Sequence, residues 1–325
     1  MSSHETIARA EALAQQGQGA AAEALLAQAA ERGDAQAAFE LAIWKLVGAP
    51  IARDVPAARA LLMRGMAQGH ADALIMGTAL MANGSGGPVA WAEALALLRK
   101  GAATVPAAAE QIALIDAMAL SADGYPAAPI KAEKICTGPD VWLARGLLTP
   151  AECAHVARAA IDLLEPASVV DPATGRAIPH PIRTSAGAVI GPTREDLVIG
   201  AINRRLAAWS QTQVAQGEPL AVLHYAPGQQ YRPHLDALPH TANQRTHTVL
   251  IYLNQGYAGG GTQFLENGMT VAGKLGDAIL FRNVLADGAP DPRSRHAGLP
   301  VQTGTKWLAT RWIRAHAHDV WSGQG

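Results

Sequence analysis

From the N-terminus to about residue 125, apolar residues recur at three- and four-residue spacing in an alanine-rich background, which predicts a series of amphipathic helices. A repeat runs through them. Ala29-Ala-Glu-Arg-Gly33-Asp-Ala35-Gln-Ala37 returns thirty-six residues later as Gly65-Met-Ala-Gln-Gly69-His-Ala71-Asp-Ala73, and more faintly as Gly101-Ala-Ala-Thr-Val-Pro-Ala107-Ala-Ala109. A period of this length predicts stacked helix pairs that bury their faces against one another. Gly33 and Gly69 suit helix ends that need a left-handed residue, and the alanines allow close helix approach. The third copy has Val105 where the glycine should stand, as a degenerate capping unit would. His70, which replaces an acidic residue of the first copy, is expected to be a solvated residue of the turn.

Ser121-Ala-Asp-Gly-Tyr-Pro-Ala-Ala-Pro129 is turn-rich and marks a boundary, beyond which the period changes. Thr149-Pro150-Ala-Glu152 is a capping box with proline at the first helical position, opening a helix to about Leu164. A second helix is expected from Thr193 to about Gln213. From Leu220 onward, short β-branched and aromatic runs broken by glycine and proline predict an all-β unit, with both helices packed outside a β-sandwich. The expectation is therefore an α+β multidomain chain: a helical repeat domain over residues 1–125, a linker over 126–135, a β domain over 136–318 and a tail over 319–325.

Composition narrows the possible partners. The 325 residues suffice for two cores. A net charge of −1 gives no electrostatic case for nucleic acid or an anionic membrane. Two cysteines, Cys136 and Cys153, are too few for a disulfide framework and lack metal-ligand spacing, which favours a reducing compartment. No apolar run is long enough to span a bilayer, and the start lacks the features of a secretion signal. A soluble cytoplasmic protein is expected, its oligomeric state left open.

The candidate chemistry lies between Leu223 and Trp312. In extended chain, residues two apart face the same side, so His234 and Asp236 converge while Leu235 points away into packing. A lone His-x-Asp pair is more often a surface hydrogen bond than a metal site. Its surroundings change that reading. His296, in Ser294-Arg-His-Ala-Gly298, stands ten residues ahead of Lys306 and supplies a second imidazole from a distant strand. Two histidines and one carboxylate on one face of a metal form the ligand set of non-haem Fe(II) oxygenases. Lys306 lies in Thr305-Lys-Trp-Leu-Ala-Thr-Arg-Trp-Ile, where alternation points it with Leu308 and Thr310 towards the interior. Buried there it would need an anionic partner; at a sheet edge it would simply face water.

Tyr225-Ala-Pro-Gly-Gln-Gln-Tyr231-Arg-Pro-His234, Thr248-Val-Leu-Ile-Tyr-Leu-Asn254, Gly259-Gly-Gly-Thr-Gln-Phe264, Gly276-Asp-Ala-Ile-Leu-Phe281, His296-Ala-Gly-Leu-Pro-Val301 and Gly304-Thr-Lys306-Trp307 with Trp312 follow in order. This series resembles the prolyl 4-hydroxylase-like Fe(II)/2-oxoglutarate dioxygenases over roughly residues 136 to 316. The helical half is similar to Sel1-type repeats, relatives of tetratricopeptide repeats, over roughly residues 8 to 115. The first resemblance implies a double-stranded β-helix, or jelly roll, with Fe(II) on His234, Asp236 and His296. It also implies 2-oxoglutarate held by Lys306 and Tyr225, O2 as oxidant and ascorbate as a candidate reductant. Halogenating relatives lose the carboxylate ligand, so Asp236 favours hydroxylation.

The same resemblance makes Arg183 and Ser185, in Arg183-Thr-Ser185-Ala-Gly187, and Glu218, Tyr231, Arg245 and Trp312 candidate substrate-groove residues. Read alone, the arginines fit surface cations, the aromatics plain core and Glu218 a loop acid. Gly261 departs from the acidic residue common in the Gly-Gly-x-Thr motif, and the loop after Asp236 is Ala-Leu-Pro-His rather than aromatic, which bears on the substrate rather than the metal. The reading taken forward is a hydroxylase of a prolyl or other residue in a peptide or protein, recruited in part by the helical repeats. The alternatives are a hydroxylase of a free amino acid or small metabolite, and a repeat scaffold with a silent β domain.

Overall fold

The computed structural model describes residues 2–170 and 177–321. It divides into two compact units, Met1–Tyr125 with Thr193–Ala201, and Pro126–Pro192 with Ile202–Gly325. Of the tail expected over 319–325, residues 322–325 lie outside the described residues.

The first unit begins with helices α1 (Ser3–Gln15), α2 (Gly19–Glu31), α3 (Ala35–Val47), α4 (Val55–Ala67), α5 (Ala71–Asn83), α6 (Trp91–Gly101) and α7 (Pro106–Ala117), each packed on its neighbour. Helices α2, α4 and α6 start at residues 19, 55 and 91, the thirty-six-residue period of the sequence. The turns repeat bond for bond. The Asp34 amide donates to the Ala29 carbonyl and the His70 amide to the Gly65 carbonyl, each at 3.0–3.1 Å, with Gly33 and Gly69 left-handed at φ 92° and 85°. Gly65 is required as well: a Cβ there would stand 3.0 Å from Ala73 Cβ.

Helix α3 is capped by Asp34 Oδ1 accepting from the Ala37 amide, and α5 by His70 Nδ1 accepting from the Ala73 amide at 3.2 Å. The ring of His70 also stacks on Phe39 at 4.5 Å. His70 is thus a helix cap rather than a solvated turn residue. Val105 has no capping side chain, and Pro106 opens α7 in its place.

The second unit carries, in chain order, strands β1 (Glu133–Thr137) and β2 (Asp140–Ala144), helix α8 (Pro150–Ala160), and strands β3 (Glu165–Pro166), β4 (Ser168–Val170), β5 (Ala177–Pro179) and β6 (Ala186–Ile190). Helix α9 (Leu197–Ser210), whose residues up to Ala201 are grouped with the first unit, follows, then β7 (Leu220–Tyr225), β8 (Tyr231–His234), β9 (Arg245–Tyr252), β10 (Ala258–Gly259) and β11 (Thr262–Phe264). The series closes with β12 (Thr270–Val271), β13 (Ala278–Arg282), β14 (His296–Gly298), β15 (Val301–Thr303) and β16 (Lys306–Arg314). Strand β1 begins at Glu133, within the stretch expected to be linker. Helix α9 starts after Asp196, whose Oδ1 accepts from the Ile199 amide, rather than at Thr193. It ends where Gln211 turns left-handed.

All pairings are antiparallel. The large sheet runs β1-β2-β13-β9-β16-β7-β6-β3 and a smaller one β12-β11-β14-β8. Alternate residues of the large sheet, among them Leu223, Tyr225, Leu250, Tyr252, Ile279, Phe281 and Leu308, form one core with Phe264 and Val271 of the small sheet. This is the expected double-stranded β-helix. Helix α8 packs on β6 and β7, and its capping box holds as predicted, with Thr149 Oγ1 accepting from the Glu152 amide. Glu152 is further clamped by Arg205 of α9 at 2.6 and 3.0 Å.

Candidate active site

Pairing of β8 with β14 sets His234 opposite His296, which brings the two rings to 4.4 Å between centroids. Each imidazole is fixed the same way. His234 Nδ1 meets the Arg232 carbonyl at 2.7 Å and His296 Nδ1 the Ser294 carbonyl at 2.9 Å. A carbonyl only accepts, so each Nδ1 carries a proton, and in the neutral ring each Nε2 presents a lone pair. Asp236 completes the group. Its Oδ1 lies 3.6 Å from His234 Nε2 and its Oδ2 3.8 Å from His296 Nε2, distances too long for hydrogen bonds but short enough for shared coordination.

The three ligand atoms lie within 4.8 Å of one another, the one such group among the described residues. Burial pushes the Asp236 carboxyl up, but His296, His234 and the Thr248 hydroxyl outweigh that and hold it below its ordinary value. Burial, reinforced by His296, lowers His234 to about 4. Two imidazoles oriented through their far nitrogens and one ionised carboxylate are a donor set that fits Fe(II). Leu235, expected to point away into packing, is instead 38% exposed, just beyond the end of β8 at His234.

The second feature of the site is Lys306. It opens β16, inside the large sheet between β9 and β7, and is 2% exposed. Its Nζ donates to the Gly260 carbonyl at 2.6 Å, its one acceptor among the described residues, and lies 5.3 Å from the Tyr225 ring and 5.5 Å from the Tyr252 ring. No carboxylate among the described residues partners it, and burial lowers its pKa to about 7. An ammonium so placed favours an incoming anion, since one Gly260 carbonyl leaves its other donors without partners.

Lys306 and the histidine–aspartate group share one pocket. Its large-sheet wall includes Tyr225, Leu250, Leu308, Thr310 and Trp312; its small-sheet wall includes Tyr231, Thr262 and Gly298. Of the residues singled out in the sequence, Tyr225, Tyr231 and Trp312 line it. The Tyr225 phenol is pushed up by burial, with Ser185 buried beside it. Tyr231 stacks on His234 at 3.6 Å. Arg183 is half-buried over the Tyr231 ring at 5.8 Å, its Nε without a hydrogen-bond acceptor among the described residues.

Glu218 and Arg245 stand outside the lining. Glu218 accepts from Arg245 Nε and Nη2 at 2.6 and 2.7 Å and from Arg314 Nε, and the Arg245 guanidinium lies 4.2 Å over Trp312. The arrangement buttresses the Trp312 wall. His224 packs on Trp307 at 4.6 Å, while His240 and His247 line other cavities. A side chain at Gly261 would approach Thr270 Cγ2 to 2.7 Å, so the glycine goes with this neighbour.

Several contributors escaped the sequence reading. The Gly260 carbonyl and the Thr262 wall belong to a glycine-rich run that showed only as motif. Thr248 and Asn283, which reach Asp236 through hydrogen bonds, had no signal beyond polarity, one inside an apolar strand and one just after another.

A family profile described as the 2OG-Fe(II) oxygenase superfamily matches residues 220–314. Prolyl 4-hydroxylase 1 of Arabidopsis thaliana is 35% identical over 207 residues, covering 58% of this chain and 73% of the relative. Probable prolyl 4-hydroxylase 7 of the same plant is 32% identical over 225 residues, covering 62% and 71%. Among solved structures, a viral collagen prolyl hydroxylase from Paramecium Bursaria Chlorella virus-1 in complex with 2OG aligns at 27% identity and a TM-score of 0.45, over 56% of this chain and 99% of the other.

Proposed function

The chain belongs to the 2OG-Fe(II) oxygenase superfamily and, within it, to the prolyl 4-hydroxylase family, and we propose that it hydroxylates a prolyl residue of a peptide or protein. The observation that carries this reading is the single pocket in which a His-Asp-His group and a buried, carboxylate-free lysine face the same space. As a family member it uses Fe(II), 2-oxoglutarate and O2. Together these oxidise the oxo-acid to succinate and CO2 and insert one oxygen atom into a substrate C–H bond.

The chain's own residues do the rest. His234, Asp236 and His296 would hold the metal, which would supply the site that activates dioxygen with the oxo-acid. Lys306 would take the distal carboxylate of 2-oxoglutarate in a charge-assisted hydrogen bond, and the Tyr225 hydroxyl would donate to the same group. Leu223, Leu250 and Leu308 line the same pocket with apolar surface that excludes water around the reacting centre. Tyr231 and Trp312 offer aromatic faces to a pyrrolidine ring, with Arg245 and Glu218 keeping Trp312 in place. Arg183 is placed to donate to substrate backbone carbonyls. Ascorbate serves as reductant, and the helical repeats help to recruit the peptide.

The test is incubation with Fe(II), 2-oxoglutarate, ascorbate and air against a panel of proline-containing peptides and free amino acids, read by mass spectrometry. Addition of one oxygen atom to a prolyl residue, with matching succinate, is expected. Succinate formation matched by oxidation of a free amino acid, with every peptide unmodified, would replace the peptide reading.

A further inference from the structure

Behind Asp236 stands a short chain of buried polar groups. Thr248 Oγ1 donates to Asp236 Oδ2 at 2.7 Å, and Asn283 Nδ2 donates to Thr248 Oγ1 at 2.9 Å. Thr248 and Asn283 are fully buried. Thr248 sits in β9, between Trp312 of β16 and Phe281 of β13. Asn283 follows β13, its amide donating to the Thr246 carbonyl and its carbonyl accepting from the Asp291 amide, both at 2.9 Å. The backbone on which the side-chain amide rides is therefore held from both sides.

The direction of these bonds follows from proton count. An ionised carboxylate only accepts, so the single Thr248 hydroxyl proton must go to Asp236, and Thr248 can then only accept from Asn283. The Asn283 amide must present its NH2. Its Oδ1 is left buried without a hydrogen-bond partner among the described residues, a cost the fold retains. With one lone pair of Oδ2 occupied by Thr248, Oδ1, on the His234 side, is the freer ligand oxygen.

We propose that Asn283 and Thr248 form a positioning relay that commits Oδ2 of Asp236 to a protein hydrogen bond and leaves Oδ1 as the single metal-ligating oxygen. This rests on the metal reading given above. The chemical value of the relay is the coordination count: a carboxylate free to bind through both oxygens would occupy a position needed by the oxo-acid or dioxygen. Thr248 and Asn283 touch neither, and act only through Asp236.

The experiment measures Mn(II) affinity by the electron paramagnetic resonance of the free ion, alongside melting temperature, for the full chain and for T248V, T248S, N283A, the T248V/N283A pair and H234A. Loss of binding in H234A, against tight binding in the unaltered chain, establishes the metal reading. T248V is expected to weaken Mn(II) binding about ten- to hundredfold, the range seen when groups behind metal ligands are removed. T248S keeps the hydroxyl and should restore the affinity, which lost packing alone would not predict. N283A should cost less, and the double variant should bind as T248V does, because Asn283 works through Thr248. Wild-type affinity in folded T248V, or multiplying losses in the double variant, overturns the relay while H234A still upholds the metal site. Should T248V not fold, restoration in T248S and the loss in N283A still decide. No Mn(II) binding by the unaltered chain would remove the metal reading and the relay with it.

Discussion

The helical unit and the β unit treat polar groups in opposite ways. Among the described residues of 2–125 no Asp, Glu, Lys or Arg is buried; the buried polar side chains there are Thr6, Thr78 and Gln111. Its polar chemistry lies at helix ends, where Asp34 and His70 perform the same capping bond thirty-six residues apart. The β unit buries charge repeatedly and mostly satisfies it: Glu152 with Arg205, Glu218 with Arg245 and Arg314, Asp277 with Arg145 and two backbone amides. In one pocket this matching stops, where Lys306 meets only a carbonyl and two imidazole nitrogens face a carboxylate without bonding it. A buried ammonium without a carboxylate, beside a carboxylate faced by two imidazoles, sets this pocket apart from the paired charges around it.

The contrast can be broken from either side. The largest effect expected is from Asp236→Ala, which should abolish hydroxylation while circular dichroism stays that of the folded chain; substrate oxidation retained by this variant would remove Asp236 from the ligand set. Next comes Lys306→Ala. Losing one partner of a buried charge pair costs about 2–5 kcal/mol, so the 2-oxoglutarate requirement should rise by about thirtyfold or more, with an unchanged apparent affinity contradicting the assignment. The free protein should lose no stability with this change, since the charge it removes is one that burial disfavours.

Proton linkage sharpens the same point. With its pKa at about 7, Lys306 is largely neutral at pH 8 in the free pocket, yet must be an ammonium to hold a carboxylate. Binding of 2-oxoglutarate at pH 8 should therefore take up a proton, seen as calorimetric heats that vary with the buffer's ionisation enthalpy. Affinity should fall by up to about tenfold per pH unit above 7. The stability of the free protein runs the other way. The unfolded chain binds this proton up to about pH 10.4 and the folded one only to about 7, so the Lys306 contribution rises with pH across that window. The smallest effect belongs to the helical unit: His70→Ala should cost about 1 kcal/mol of its stability through the lost cap and leave 2-oxoglutarate binding untouched.

Legibility in the sequence followed the range of the interaction. The helices, the period and the capping box at Thr149 depend on neighbours three or four residues away and could be read directly. His234 with Asp236 is just as local, and Lys306 betrays its inward face by alternation with Leu308 and Thr310. What required the fold was pairing at a distance. Nothing near Glu218 announces that Arg245 and Arg314 will converge on it, and the acceptor of Lys306 is a backbone carbonyl at Gly260, which has no side chain to notice. Thr248 and Asn283 look like stray polar residues in or just after apolar strands until β9 and β13 lie side by side. The misreadings have the same origin: alternation alone sends Leu235 into packing and residue type alone makes His70 a solvated turn residue, whereas a strand end and a helix start decide their surroundings.

The central claim is that the open valences of this pocket assemble one iron–oxo-acid site. The most direct measurement is anaerobic addition of Fe(II) and then 2-oxoglutarate to the metal-free protein, followed by optical absorption. A weak visible charge-transfer band that needs both components, and that Asp236→Ala abolishes, is the predicted result. A correctly folded protein that shows no band at saturating concentrations of both would contradict the account.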